Sequence, residues 1–159
     1  MRTLTIPVVS AFLLGCCLAA CGGGGGGDGS YSISDTTLAG QIGEQSWTFV
    51  QGETDAFMSD EDGYWAELFP DSYTACDWAS QPDGVSTILV TLPTEVGEYP
   101  LSLHQSITFV EPPSDNTVAI RGLLEVEAIN ADTIDAGLYV VYGNGYKVDG
   151  RFTVDICEE

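Results

Sequence analysis

Five cysteines carry the side chains whose chemistry says most about this chain. A thiol can be alkylated, oxidised to a disulfide or bound to a metal, and its sequence setting separates these fates. Cys21 follows two alanines and precedes a run of glycines, whereas Cys76 and Cys157 stand far apart in the rest of the chain. Cys16 and Cys17 lie within an apolar run and need no chemistry of their own.

The segment Leu18-Ala19-Ala20-Cys21 resembles the lipobox of bacterial lipoproteins, in which an apolar residue and two small residues precede the cysteine that takes the lipid. The resemblance implies that residues 1–20 are a lipoprotein signal peptide, that cleavage before Cys21 is of the signal peptidase II type, and that Cys21 carries at least two acyl chains, palmitate among them. The alternative is that an ordinary signal peptidase cuts near Ala19 or Ala20, which leaves Cys21 as an unmodified thiol.

The residues before the lipobox have the form of an export signal. Arg2 supplies the charged end, and residues 4–18 are almost wholly apolar. A membrane-spanning helix needs about 20 apolar residues, so this run is too short to remain as an anchor. We therefore expect the segment to direct export and then to be removed.

Residues 21–30 form a glycine-rich linker behind the cysteine. A flexible coil from Gly22 to Ser30 has a root-mean-square span of about 15–18 Å. Among lipoproteins, a residue other than aspartate after the lipidated cysteine favours the outer membrane over the inner one, and here that residue is Gly22. The expected location is the bacterial cell envelope, with the membrane engaged through the lipid on Cys21.

The charge balance excludes two classes of partner. All 24 acidic side chains lie after residue 20, against only Arg121, Lys147 and Arg151. Such a polyanion is repelled by nucleic acid and by anionic lipid headgroups. It would attract divalent cations or a basic partner, although an acidic exterior also serves simply to keep a domain soluble.

The passenger segment, residues 31–159, has the length of one domain and the periodicity of strands. We predict a single all-β domain of about eight to ten short strands, built as an antiparallel β-sandwich or a closed β-barrel. The clearest strand is Tyr146–Ile156, where apolar and polar residues alternate, and Asn144-Gly145 predicts a type I′ hairpin turn from Leu138–Tyr142. The other predicted strands are Trp47–Val50, Tyr64–Phe69, Tyr73–Trp78, Ser86–Leu92, Tyr99–Leu103, Ile107–Val110 and Ile120–Ala128.

Cys76 and Cys157 are the cysteines of the passenger domain, and an exported chain meets an oxidising compartment. We predict a disulfide between them. Cys157 falls in the polar phase of its strand, so the bridge should lie at a strand end or outside the core.

No arrangement of side chains predicts catalysis, and neither a cofactor nor a metal is expected. His104 is the single histidine and has no nucleophile nearby in sequence. Glu67, Asp71 and Asp77 lie near tryptophans, as in a glycosidase cleft, but carboxylates are so abundant here that solvated positions explain them better.

Two further features suggest binding. The acidic run Ser59–Gly63 lacks both end ligands of a calcium loop, so an exposed hairpin tip is the simpler interpretation. The alternative is that a hard cation binds through another loop geometry, with Glu53 or Asp55 helping. Trp47, Trp65 and Trp78 could stack on sugars or on a protein partner, but core packing is the commoner role.

The opening Gly40–Gly43, the segment Gly97–Tyr99 and the strand from Gly150 to Cys157 are similar to small β-rich envelope lipoproteins of unknown function. The resemblance implies a fold type and transfers no catalytic residue. The leading hypothesis is a lipid-anchored, non-catalytic binding or structural module, with an envelope protein or a glycan left open as its partner. The alternatives are a calcium-dependent adhesion or carbohydrate-binding module and an envelope hydrolase.

Overall fold

The computed structural model describes residues 31–158. The signal peptide 1–20, Cys21 and the linker 21–30 lie outside the described residues. The described chain forms eleven strands. They are β1 (Ala39–Ile42), β2 (Gln45–Thr48), β3 (Gln51–Thr54), β4 (Gly63–Phe69), β5 (Thr87–Pro93), β6 (Gly97–Pro100), β7 (Ile107–Glu111), β8 (Asp115–Ala119), β9 (Gly122–Ile129), β10 (Thr133–Tyr142) and β11 (Tyr146–Asp155).

All strands belong to one sheet, whose main path has the order β6-β9-β10-β11-β3-β4-β5-β7-β8, with β1 paired to β11 and β2 paired to β1. The path is open at β6 and β8, but β8 comes within 8 Å of β10 between Cα atoms, because the sheet curls into a half-barrel. The predicted all-β class is confirmed. Among the described residues, no helix has the length and apolar character needed to cross a membrane.

Two antiparallel groups of strands meet at a single parallel contact. β11 pairs with β3 in parallel at Asp155 and Glu53, whereas the other pairs along the path are antiparallel. The contact lies at the C-terminal end of β11, so the residues that follow β11 lie beside β3, and the Cys157 N–H donates to the Thr54 hydroxyl at 3.0 Å.

The inner face of the curl is the hydrophobic core. In β11 the residues Val148, Phe152 and Val154 are buried, while Lys147 and Thr153 are exposed, so the predicted alternation is confirmed. The fully buried side chains of largest volume are Phe109, Leu38, Ile42, Leu68, Ile88, Leu92, Ile107, Leu124, Ile134, Leu138, Val90 and Val126. Trp47 also lies in this core, 4% exposed, and its indole N–H donates to the carbonyl of Ser86 at 2.8 Å.

The predicted hairpin is confirmed, but its predicted turn type is wrong. Tyr142 pairs directly with Tyr146, so the connection has three residues rather than two. Gly143 takes the positive φ angle of 59°, and Asn144 does not adopt a left-handed conformation. Gly143, which precedes Asn144, allows the chain to reverse direction, because a residue without a Cβ atom adopts the left-handed region without a steric cost.

The predicted strand Tyr73–Trp78 is wrong, and the strands β1, β3 and β8 were not predicted. Between β4 and β5 the chain loops away from the sheet and ends in one 3-10 turn, Trp78–Ser80. Side chains replace the ladder there: the Ser80 hydroxyl accepts from the Thr74 N–H at 3.0 Å. Local side-chain bonds of this kind compete with strand pairing, and apolar spacing does not reveal them.

Candidate functional site

A cavity of about 270 Å³ lies where the two groups of strands meet. Its walls come from β3 and β4, from the loop after β3, from the loop between β4 and β5, and from the segment after β11. The lining residues are Glu53, Thr54, Asp55, Ala56, Phe57, Glu67, Cys76, Trp78, Gln81, Cys157 and Glu158. We call this the junction cavity.

Glu53 is the most buried charged group of the junction cavity, with only 4% of its surface exposed. One carboxylate oxygen accepts the backbone N–H of Cys76 at 2.5 Å, and the other accepts the side-chain amide of Gln81 at 2.8 Å. The Sγ atom of Cys157 lies 3.8 Å from the first oxygen. Neutral donors therefore satisfy one lone pair on each oxygen, while the charge itself receives no counter-ion from these groups.

Glu67 faces Glu53 directly across the β3–β4 ladder. Burial raises the pKa of the Glu67 carboxyl, and the negative charges of Asp55 and Glu53 raise this pKa further, against a smaller opposing effect of a hydrogen bond from Gln81. Like charges placed directly opposite each other on neighbouring strands are destabilising. The cavity thus keeps an unfavourable pair of acids.

Within the described residues, no cation of the chain pairs with these two acids. Both ion pairs within residues 31–158 belong to Arg151, which binds Glu125 and, at 2.7 Å, Glu127. In the part of the chain that the structure describes, no lysine, arginine or histidine lines the junction cavity. The acidic groups here are compensated only by neutral hydrogen-bond donors.

Tyr73 belongs to the same electrostatic neighbourhood. Its hydroxyl is buried and finds no hydrogen-bond partner among the described residues. Burial raises the pKa of Tyr73, and the charges of Glu53, Glu67 and Asp155 raise it further, so the phenol stays protonated. Its ring packs edge-on against Phe69, with centroids 5.0 Å apart.

A disulfide between Cys76 and Cys157 forms one wall of the cavity, with Cα atoms 5.4 Å apart. The predicted pairing is confirmed, and so is its place outside the core, just past the end of β11. Cys76 adopts a left-handed φ of 58°, a conformation that costs a non-glycine residue about 1–2 kcal/mol. The disulfide and the bond from its N–H to Glu53 hold that conformation.

The two sulfurs and a Glu53 oxygen lie within 4.8 Å of one another, a spacing that would suit a metal ion. Metal binding by cysteine requires thiolates. Because both sulfurs are committed to the disulfide, this trio is not a metal site in the oxidised protein.

Two aromatic side chains flank the acidic groups at the mouth of the cavity. Trp78 is 82% exposed and Phe57 is 85% exposed, and the neighbouring Met58 is 52% exposed. Exposed large apolar side chains that lie together beside a cavity are typical of a contact surface.

The structure separates the residues singled out in the sequence. Glu67 and Trp78 line the junction cavity, whereas Asp71, Asp77 and Trp65 do not. His104 is exposed on the loop between β6 and β7. Asp60 lies in the connection between β3 and β4, as an acidic hairpin tip should, and its carboxylate accepts the backbone N–H groups of Asp62 and Gly63 at 2.9 Å and 3.2 Å.

Sequence reasoning missed Gln81 and Phe57, and it considered Glu53 and Asp55 only as helpers in a cation-binding loop, not as walls of a cavity. Glu53 lies in β3, whose sequence Gln-Gly-Glu-Thr has no apolar alternation to announce a strand. The one available signal was that Glu53 and Asp55 lie close together in the sequence, just before the aromatic residue Phe57.

We expect Glu67→Gln to stabilise the domain at neutral pH. The raised pKa means that the folded state holds this proton more tightly than the unfolded chain does. Its stabilising contribution is fully present below the unfolded value of 4.5 and is lost as pH rises through the folded pKa. Wild type should therefore lose stability across that interval relative to Glu67→Gln, which has no such proton to lose.

Thermal melting between about pH 4 and pH 8 measures this difference. Glu53, Asp55, Gln81 and Tyr73 surround the group and stay unchanged in the variant. Glu95→Gln, on the exposed turn before β6, makes the same charge change away from the cavity. If both variants shift the melting temperature equally at every pH, the local account of Glu67 is wrong.

Comparison of the chain with models of protein families, with curated proteins and with solved structures finds no match in any of the three. The interpretation of the site therefore depends on its own geometry and charge.

Proposed function

We propose that this chain is a cell-envelope lipoprotein whose β domain is a non-catalytic binding module. In this proposal residues 1–20 direct export and are removed, Cys21 is acylated, and residues 22–30 tether the domain to a membrane, the outer one in preference to the inner. The junction cavity is the binding site of the module.

The observation that carries the proposal is the disulfide between Cys76 and Cys157. Disulfides form and persist in oxidising compartments and are rare in the cytosol. The bridge lies in the folded domain, and the export signal and lipobox lie at the other end of the chain. Two separate features therefore support a location beyond the cytoplasmic membrane.

A lipid anchor also suits the charge of the domain. The polyanionic surface gains nothing from anionic headgroups, so attachment depends on the acyl chains alone. Each buried methylene contributes about 0.8 kcal/mol, and two or more chains are needed for stable attachment. A diacylated or triacylated Cys21 meets that requirement without help from the protein surface.

Binding is favoured over catalysis by the state of the carboxylates. Both oxygens of Glu53 already accept hydrogen bonds, and the cavity lining holds no histidine to exchange protons near neutral pH. A cavity lined by carboxylates and exposed aromatic rings suits the binding of a ligand better than its chemical conversion.

Metabolic labelling tests the anchor. Cells producing the full chain are fed an alkyne analogue of palmitate, and the protein is captured and coupled to a fluorophore. We expect wild type to be labelled and Cys21→Ala to lose the label and keep residues 1–20, because cleavage and acylation both depend on that sulfur.

The matched control is Cys76→Ala/Cys157→Ala, which removes the two other mature cysteines and should retain the label. Equal labelling of wild type and Cys21→Ala, or a mature wild-type protein that begins at another residue, would contradict the proposal.

A further inference from the structure

The junction cavity is short of positive charge. Glu53 is almost wholly buried, Glu67 stands directly opposite it, and Asp55 and Glu158 complete the acidic lining. Partly buried charges are weakly screened by salt, so an uncompensated acidic pair of this kind costs stability in the free protein. A cation entering the cavity would relieve that cost, and the chain itself provides none within the described residues.

The residues at the opening of the cavity favour an organic cation over a metal ion. Trp78 and Phe57 line the cavity with most of their surface in solvent, 82% and 85% exposed. An aromatic face attracts an organic cation, and a guanidinium group also stacks on it. A hard metal ion gains nothing from such rings and prefers six to eight oxygen ligands. Here the Glu53 oxygens already accept one hydrogen bond each, and the Asp55 carboxylate accepts the N–H groups of Phe57 and Met58 at 2.8 Å and 3.1 Å. Too few free oxygen lone pairs remain for six to eight metal ligands, whereas the second lone pair on a Glu53 oxygen can accept a guanidinium N–H.

The size of the cavity and the residues around it indicate that the cation belongs to a side chain of another protein. Its volume of about 270 Å³ lies below the roughly 300–1,000 Å³ of most small-molecule sites, so it has room for one side chain rather than for a large ligand. Met58, adjacent to Phe57 and half exposed, extends the apolar rim beyond the cavity. Arginine paired with aromatic residues is the typical composition of a protein–protein hot spot.

We propose that the junction cavity docks a basic protein segment, which inserts one arginine side chain between Trp78 and Phe57 to meet the carboxylates of Glu53 and Glu67. This deepens the proposed function, since it rests on the β domain being a binding module and names the chemistry of its partner. The acidic surface around the cavity accelerates the approach of such a segment, and the cavity supplies its specificity.

The test uses the mature protein in detergent micelles and a short peptide with one central arginine flanked by glycines. NMR chemical shifts of the Cys76 backbone amide and the Gln81 side-chain amide report entry of the peptide into the cavity, because both groups donate hydrogen bonds to Glu53. We expect saturable shifts, with binding weakened about tenfold or more by Trp78→Ala and by Glu67→Gln. Trp78 is exposed, so its replacement leaves the fold intact and keeps the test valid if an acidic variant unfolds.

Asp83→Asn is the matched charge control, because Asp83 is exposed and lies outside the lining. Equal weakening by Asp83→Asn and Glu67→Gln would overturn the proposal in favour of diffuse attraction. Displacement of the peptide by calcium chloride, with the calcium itself shifting Cys76 and Gln81, would overturn it in favour of a metal site. Binding of ethylguanidinium as tight as the peptide would overturn the protein partner and leave a small-molecule site. Absence of any shift removes the partner but leaves the labelling of Cys21, so failure here is distinguishable from failure of the lipoprotein assignment.

Discussion

Replacing both Cys76 and Cys157 by serine is expected to lower the free energy of unfolding by about 4.5 kcal/mol. The bridge closes a loop with a sequence separation of 81, and opening it returns that conformational freedom to the unfolded chain. The loss should be larger than for most single substitutions in the domain. Urea unfolding followed by tryptophan fluorescence measures it as a fall in the midpoint.

The double variant also tests what holds the wall of the junction cavity. Without the bridge, Cys76 loses one of the two restraints on its left-handed backbone, and its N–H should no longer reach Glu53 reliably. Reducing the wild type with a phosphine should reproduce the lower stability, and the serine variant should be insensitive to the same reagent. A serine variant as stable as oxidised wild type would show that the loop is ordered without the bridge.

Gly150→Ala is expected to destabilise the domain by roughly 3–5 kcal/mol, the sum of a strained backbone and an overpacked contact. Gly150 has a φ of 139°, a region that side chains rarely adopt. An added Cβ would lie 2.5 Å from the carbonyl oxygen of Thr36 and 2.7 Å from the Cα of Leu38. Because Leu38 is fully buried, the incoming segment cannot move away without opening the core.

Gly143→Ala separates the two causes. Gly143 also has a positive φ, 59°, but an added Cβ there meets nothing within 4 Å. Its replacement should cost only the backbone strain, about 1–2 kcal/mol. Melting temperatures of the two variants, measured side by side, decide the matter. Similar losses for both would mean that the close approach of residues 36–38 to β11 is not rigid.

The sequence carried the fold class because strand periodicity is a local property. Alternating apolar and polar residues in β11 need one buried and one wet face, whatever the neighbouring strands are. The spacing and export context of Cys76 and Cys157 likewise pointed to their pairing. In contrast, β1, β3 and β8 consist mainly of polar or small residues. They form strands because they hydrogen-bond to neighbouring strands, not because of their own residue pattern.

The junction cavity could not be predicted in the same way. Glu53 and Glu67 are adjacent only through the β3–β4 register, and Gln81 and Cys157 reach them from separate loops. Trp47 and Trp78 have the same side chain, yet one is buried and hydrogen-bonded to Ser86 while the other is in solvent. Exposure depends on which residues of distant segments pack over a side chain, and a single sequence does not record that.

By itself, then, the sequence determined the alternation that predicts strands, the acidic balance, the pair of cysteines and the lipobox-like segment. Each of these depends only on neighbouring residues or on composition. Only the tertiary structure decided that, within residues 31–158, two acids face each other without a cation, in a cavity that two exposed aromatic residues and a disulfide also line. That arrangement depends on strand register and on the parallel meeting of β11 with β3, which are long-range pairings whose alternatives preserve every local pattern.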